Sequence, residues 1–363
     1  MTKENALGGT MEHRYDANAL TAFATGLFEA AGLDRDKAGT IAPLLVEADL
    51  MGHTTHGLQL CAPYLKALED GTMRKEGGPE VLSDRGAVAT WDGRRLPGVW
   101  LTARAVDQAV ERAKLYGTAG IAIRRSHHIA CLAVFLERAT REGCMVQITS
   151  SDPAVASVAP YGGTEPLFTP DPIAVGIPTG GDPILIDTSA SITTNGLTGR
   201  LHSEGKKLPG KWVQDAGGTA TDNPGVLFTD PPGTILPIGG QEYGHKGYGL
   251  ALMIEALTQG LAGHGRADPA DGWGAGVHIQ VSDPTAFCGK DAFNRQIDHI
   301  VAKCLSNKPA TPRTPVRLPG QNAIRKRRDG LENGVPLYSG IMEALQPWAE
   351  KYGIPAPSNL ARA

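Results

Sequence analysis

Apolar residues recur at helical spacing from Ala17 to Gly32 and again from Asp34 to Leu50. Asp34 stands where a side-chain cap would open the second helix, and Gly52 where a glycine would close it. A third helix is expected from Gln59 to Leu68, closed by Gly71. The pattern then changes. Residues 88–91 read as a short strand, Trp100 to Leu115 as a helix, 120–123 as a strand, Leu132 to Arg141 as a helix and 145–151 as a strand, with further strands at 173–178 and 183–187. Residues 190–235 are rich in Gly, Thr, Asn and Pro and are read mainly as loops and turns. The longest strongly apolar helix is expected over 246–263, a last strand over 277–283, and helices near 290–305, 321–330 and 339–352. Residues 1–14 carry no such pattern and are expected to be a disordered lead-in. The chain so divides into a helical segment (15–75), a mixed α/β core (76–285) and a helical C-terminal segment (286–363) that should pack on the first.

The 363 residues suffice for two or three domains' worth of core, and 41% hydrophobic with 20% charged residues is an ordinary globular balance. A net charge of -3 gives no bulk attraction to nucleic acid, and the basic run 325–328 reads as a solvated helix face. No window approaches the roughly 20 apolar residues of a membrane span, and no basic-then-apolar leader opens the sequence. A cytoplasmic protein is expected. The five cysteines are scattered without a C-x-x-C, which indicates neither a zinc knuckle nor a disulfide framework. Cys131 reads as a small buried hydrophobe.

No strand is followed by G-x-G-x-x-G, and neither a phosphate loop nor H-E-x-x-H occurs. A nucleotide, if bound, is not held by the ordinary Rossmann turn. Four polar clusters interrupt apolar elements. The first is MGHTTHGL (51–58), where a helix exits onto His53 and His56. Histidine titrates near neutral pH, so a proton-transfer role competes with the commoner one of a helix-end cap. The second and third are RRSHHIACL (124–132) and SSDP (150–153), both at the C-terminal ends of expected strands, where open sheets gather ligand-binding groups. A pairing of Asp152 with a histidine there would orient the imidazole and raise its pKa; the plain alternative for Asp152 is a turn before proline. The fourth is GHKGYG (244–249), where glycines, free helix N–H groups and Lys246 suit an anion, or alternatively tight packing. No metal site is expected, because no histidine pair has i, i+4 spacing.

In chain order, ADLMGHTTHG, RSHHIACL, SSDP, APYGG, ILIDTSAS, LPGKW, GHKGYGLALM and RLPGQN resemble the type-2 malate/L-lactate dehydrogenase family, from about Asp16 to about Gly334. That group includes ureidoglycolate and sulfolactate dehydrogenases, diketogulonate reductase and piperideine-2-carboxylate reductases. The resemblance implies a mixed α+β fold with a non-Rossmann dinucleotide-binding domain and a largely antiparallel sheet, NAD or NADP as cofactor, and a homodimer. It assigns His56 as proton donor, with His128 as the second candidate. Ser151 and Asp152 would lie beside substrate and nicotinamide. Asp187, Thr188 and Ser189 would line the cofactor, as would His245, Lys246 and the turn Gly320, Gln321 and Asn322. Thr55 replaces the serine of S-H-G. Leu60 stands where many members carry an arginine suited to a substrate carboxylate, which leaves His53 or another arginine to serve. Thr169-Pro170-Asp171-Pro172 replaces the usual G-T-N-P, and Ala130 and Leu132 stand where glycines are common, as in the ketimine reductases.

The expected reaction is hydride transfer between nicotinamide and C2 of a small 2-oxo or 2-hydroxy acid. His56 or His128 would move the proton, Asp152 would orient the histidine, Tyr64 would close the pocket, and His53, Thr55 and Ser151 would meet the substrate. One alternative is reduction of a cyclic ketimine carboxylate. Another is a nucleotide-binding protein without turnover, which would have no use for two histidine sites.

Overall fold

The N-terminal helices end as their capping residues dictate. A short strand β1 (His13–Tyr15) leads into α1 (Ala17–Ala30), whose cap Asp16 accepts from the Ala19 N–H at 2.8 Å. Asp34 caps α2 (Arg35–Leu50) in the same way through Lys37. Gly52, at φ +87°, closes α2: its N–H reaches the Asp49 carbonyl, and the His53 N–H reaches that of Ala48. This left-handed glycine cap turns the chain sharply off the helix axis, and His53 is its last residue. A 3₁₀ turn at Leu58–Leu60 leads into α3 (Cys61–Glu69). The structure, a computed structural model, describes residues 13–270, 272–311 and 314–360. Of the expected lead-in, residues 1–12 lie outside the described ones, and His13 and Arg14 belong to β1.

The core follows as β2 (Glu80–Asp84), β3 (Val88–Asp92), α4 (Gly98–Tyr116), β4 (Thr118–Ser126), α5 (Ala133–Thr140), β5 (Met145–Ser151), β6 (Pro172–Ile177) and β7 (Ile184–Ser189). Then come α6 (Asn195–Ser203), β8 (Val213–Gln214), β9 (Ala220–Thr221), β10 (Thr234–Ile235), α7 (Gly240–Tyr243), α8 (His245–Glu255) and β11 (Ala275–Ser282). The chain finishes with α9 (Lys290–Leu305), α10 (Gln321–Asn333), β12 (Val335–Leu337) and α11 (Ile341–Tyr352).

Seven strands form one sheet in the order β2-β3-β4-β11-β5-β6-β7. Every neighbour pair is antiparallel except β3 with β4. This is the largely antiparallel, non-Rossmann arrangement expected. Alternation sorts the faces. Val277, Ile279 and Val281 of β11 join Ile121, Ile123, Val146 and Ile148 in the main core, which continues through α4 and α5 into the N-terminal helices and α11. On the other face, Gly276 lies against the backbone of Thr258; a Cβ there would stand 2.9 Å from the Thr258 carbonyl oxygen. A smaller core, including Phe168, Leu201, Val213, Ile235 and Ile254, binds β8 and β10 to α6 and α8.

Three readings of the sequence are corrected. The polar stretch 190–235 contains α6, whose buried residues are only Thr198 and Leu201, too few to print a period. Strands β1, β2 and β12 also escape the pattern: β2 is exposed along its length, and among the described residues β1 pairs only with the distant β12. The apolar stretch 246–263 is not one buried α-helix. α8 stops at Glu255, a π-helical turn covers Ala256–Gly260, and Leu250, Leu252, Met253 and Leu261 are exposed.

The sheet register gathers the ends that matter on one edge. Ser151 at the end of β5 faces Gly276 at the start of β11, Ser126 at the end of β4 faces Ala275, and Ser189 at the end of β7 faces Pro172 at the start of β6.

Candidate active site

Along that edge runs a cleft of about 710 Å³, a size that suits a small-molecule or cofactor site. The exit of α2 supplies one wall. His56 sits there with Nδ1 2.8 Å from the Thr55 hydroxyl. Asp49, the last acidic residue of α2, is buried behind this loop and accepts the Leu58 N–H at 2.7 Å. Burial pushes its carboxyl up to about 7, against that hydrogen bond and the charge of Arg200. Gly57 is required by this packing, since a Cβ there would fall 2.4 Å from the Asp49 carboxylate. Arg200, from α6, fastens the loop from the other side. It donates to the Thr54 hydroxyl at 2.9 Å, to the Thr54 carbonyl at 3.1 Å and to Gln59, and stacks 3.8 Å from the Tyr338 ring centre.

The β4 end supplies the second wall. The Tyr64 hydroxyl lies 2.8 Å from His128 Nδ1, and the Ala130 N–H points at the same nitrogen from 3.3 Å. An N–H donor requires Nδ1 to be the acceptor, which puts the His128 proton on Nε2. The His128 ring stacks on Trp273 with centroids 4.6 Å apart, and the His56 ring lies 6.2 Å away. Burial drives His56, His127 and His128 towards the neutral form. His56 is pushed down to about 4, first by desolvation, then by the charges of His53 and Arg200. His127 falls to about 3 and His128 well below the ordinary histidine value, each mainly through burial.

Ser151 is fixed from the π-helical turn: its Oγ lies 2.9 Å from the Thr258 hydroxyl and accepts from Gln259 Nε2 at 2.9 Å. Asp152 behaves differently from expectation. It forms no hydrogen bond with a histidine among the described residues. One carboxylate oxygen accepts the Ala154 N–H at 2.9 Å and the other the Gly274 N–H at 3.1 Å, so the side chain ties the end of β5 to the segment before β11. The tether falls on Gly274, next to Trp273, and burial raises the carboxyl's pKa. Asp187 accepts the Ala133 N–H at 3.0 Å and the Cys131 thiol at 3.6 Å, and burial raises its pKa against the charge of His53.

The cleft so collects His53, Thr55, His56, His128, Ser151, Asp152, Asp187, Thr188 and Ser189 from the residues singled out in the sequence. Tyr64 stands behind its wall, through His128. His245, Lys246, Gly320, Gln321 and Asn322 are not among the lining residues. They flank the strand that carries 187–189. A Cβ on Gly320 would strike Leu185 at the start of β7, and one on Gly247 would strike the Ala190 carbonyl just past its end. Sequence reasoning missed Trp273, Arg200, Asp49 and the α6 start with Thr193 and Asn195. The first stands in a Gly-rich stretch; Asn195 opens a helix without an apolar stripe, and Thr193 lies just before its cap, Thr194.

The residues fit a dinucleotide by their chemistry. Polar hydroxyls and amides face a partly apolar cleft, and the Thr193 hydroxyl, buried on its wall, has no hydrogen-bond partner among the described residues.

The sequence pattern of the family described as malate/L-lactate dehydrogenase matches residues 15–346. The chain is 28% identical over 351 residues to hydroxycarboxylate dehydrogenase B of Escherichia coli O157:H7, covering 94% of this chain and 95% of the relative. It is 27% identical over 324 residues to L-sulfolactate dehydrogenase of Methanothermobacter thermautotrophicus, covering 87% and 92%. It is similar to the solved structure of Δ1-piperideine-2-carboxylate reductase from Pseudomonas syringae, with a TM-score of 0.81 and 26% identity, covering 93% of this chain and 99% of that one.

Proposed function

The chain belongs to the malate/L-lactate dehydrogenase family, and from that premise we propose an NAD(P)-dependent oxidoreductase that moves a hydride between nicotinamide and C2 of a small 2-oxo or 2-hydroxy acid. The observation that carries this reading is the cleft itself, with an imidazole, His56, on its wall and its Nδ1 engaged by Thr55. When bound, the nicotinamide supplies the hydride chemistry. Ser151, Asp187, Thr188 and Ser189 hold it in the cleft, with Lys246, His245 and the 320–322 turn at the two ends of β7. His56 moves the proton at the C2 oxygen: it accepts in alcohol oxidation and donates in carbonyl reduction. His128, braced by Tyr64 and Trp273, forms the facing wall. Arg200 does not line the cleft, yet its charge is felt at His56 and favours an anionic substrate beside it. It stands in for the cation that Leu60 cannot provide.

A second reading is favoured by one observation. The two candidate acids, His56 and His128, are driven towards the neutral form in the free protein, and a cyclic ketimine carboxylate that arrives protonated needs neither as an acid. A spectrophotometric screen separates the two. NADH and NADPH oxidation would be followed with pyruvate, oxaloacetate, other 2-oxo acids and cyclic imino acids. Turnover of 2-oxo acids is expected; turnover of the imino acids alone would replace the first reading with the second, and turnover of neither would refute both.

The homodimer also belongs to this proposal. Its support is the run of exposed apolar side chains on and after α8 (Leu250, Leu252, Met253 and Leu261), since patches of this kind mark association surfaces. Sedimentation at micromolar concentration is expected to give twice the chain mass; a fully active monomer would contradict it. No helix of the described residues is long and apolar enough to cross a membrane. A cytoplasmic location is supported by the cysteines, all five of which are free thiols, and cell fractionation checks it.

A further inference from the structure

His53, Cys131 and Asp187 come from three separate elements: the glycine cap after α2, the loop between β4 and α5, and strand β7. The fold brings one ligand atom of each within 4.8 Å of the other two, on the wall of the cleft. The geometry points to a binding site for a zinc-class divalent cation at these three side chains. The reading goes beyond the dehydrogenase assignment and does not depend on it.

The ligand set is one that zinc takes: an imidazole nitrogen, a thiolate sulfur and a carboxylate oxygen. With bonds of about 2.3 Å to sulfur and about 2.0–2.2 Å to oxygen, a tetrahedral centre holds those two atoms roughly 3.5 Å apart. Cys131 Sγ and Asp187 Oδ2 stand 3.6 Å apart. The His53 ring nitrogen lies within 4.8 Å of both. The same carboxylate oxygen already accepts the Ala133 N–H at 3.0 Å, a hydrogen bond of the kind that fixes a ligand's orientation. A thiolate and a carboxylate together neutralise a dication in a poorly solvated wall, and the sulfur disfavours magnesium and calcium. Three protein ligands leave the fourth position facing the cleft, as in open zinc sites. On binding, the Cys131 S–H bond breaks, the sulfur–metal bond forms and the proton leaves to solvent. No oxidation state changes. Occupancy takes His53 and Asp187 out of the cleft's polar lining.

Cobalt(II) titration of the full chain tests this without recourse to activity. The expected result is one equivalent bound, with intense tetrahedral d–d bands and a thiolate-to-cobalt charge-transfer band, both removed by zinc. Cys131→Ser, nearly isosteric, should abolish the charge-transfer band and weaken zinc binding by more than about 100-fold, since loss of a mere outer partner already costs about 10–100-fold. Cys288→Ser, at an exposed thiol elsewhere, should leave both unchanged. Should Cys131→Ser fail to fold, Asp187→Asn decides: it should keep the thiolate band and lose affinity. A native chain without the band, a band that survives in Cys131→Ser, or unchanged affinity in Asp187→Asn overturns the site.

Discussion

Replacement of His56 by asparagine is expected to lower turnover of a 2-oxo acid by about 10²–10⁴-fold, the usual worth of a positioned acid–base group. Cofactor affinity should hardly change, because His56 is not among the proposed cofactor contacts, which lie on β5, β7, the start of α8 and the 320–322 turn. The pH profile makes the assignment specific. Burial holds His56 at about 4 in the free protein, below the histidine reference of about 6.5. Alcohol oxidation needs the neutral ring, so its kcat/KM should rise up to about pH 4 and stay level above. Carbonyl reduction needs the protonated ring, so its kcat/KM should fall as pH rises above about 4, tenfold per unit. An anionic substrate favours the cation, so the fall in kcat should lie at higher pH than the fall in kcat/KM. Asparagine should remove both trends, and the assays belong in chelator-treated buffer. If His128→Asn removes the pH dependence and His56→Asn does not, His128 is the acid and His56 only shapes the loop. A substrate whose turnover ignores both changes is a pre-protonated imine.

Gly98→Ala is expected to damage both stability and catalysis, although Gly98 touches neither substrate nor cofactor. It opens α4, and a Cβ there would stand 2.0 Å from the His127 carbonyl oxygen and 2.6 Å from that of His128. Backbone atoms cannot swing aside as a flexible side chain can. The helix start and the histidine segment must separate, at a cost of about 1–3 kcal/mol for overpacking. A shift of the order of 1 Å in a catalytic wall costs about 10²-fold in rate. Gly39→Ala is the matched control: it lies in α2, and its Cβ would meet nothing within 4 Å. That change should stabilise by about 0.5–1 kcal/mol, the helical advantage of alanine, and leave turnover alone. Thermal melts and kcat on the two variants check the pair, and a Gly98→Ala enzyme with native melting and native turnover would disprove the packing argument.

What could be read in advance follows from what periodicity reports, which is burial. Strands 145–151 and 275–282 print a clear alternation because one face enters the main core. The five exposed residues of β2 print nothing, and neither does α6, where Gly196 and Gly199 break the helical signal. Thr193 and Asn195 were hidden for that reason. His53, His56 and His128 were legible as residue types out of place on apolar elements. Their partners were not. That Asp152 serves backbone N–H groups, and that Arg200 returns from α6 to fasten Thr54, are facts of long-range register. The ligand cluster of His53, Cys131 and Asp187 has no local spacing at all, so a rule built on i, i+4 pairs could not see it.

The order of strands also sets a timetable for the growing chain. β4 and β5 never pair with each other; β11 stands between them and is made far later. Until Ala275–Ser282 emerges, both strands present bare inner edges lined with isoleucine and valine. Such edges recruit other chains, and sheets closed by distant segments form slowly. Trp273 and Gly274 arrive on the same stretch, so the ring under His128 and the tether of Asp152 are fitted last. A nascent chain halted before that point carries both candidate acids, every proposed ligand of the cation, and no cleft to put them in.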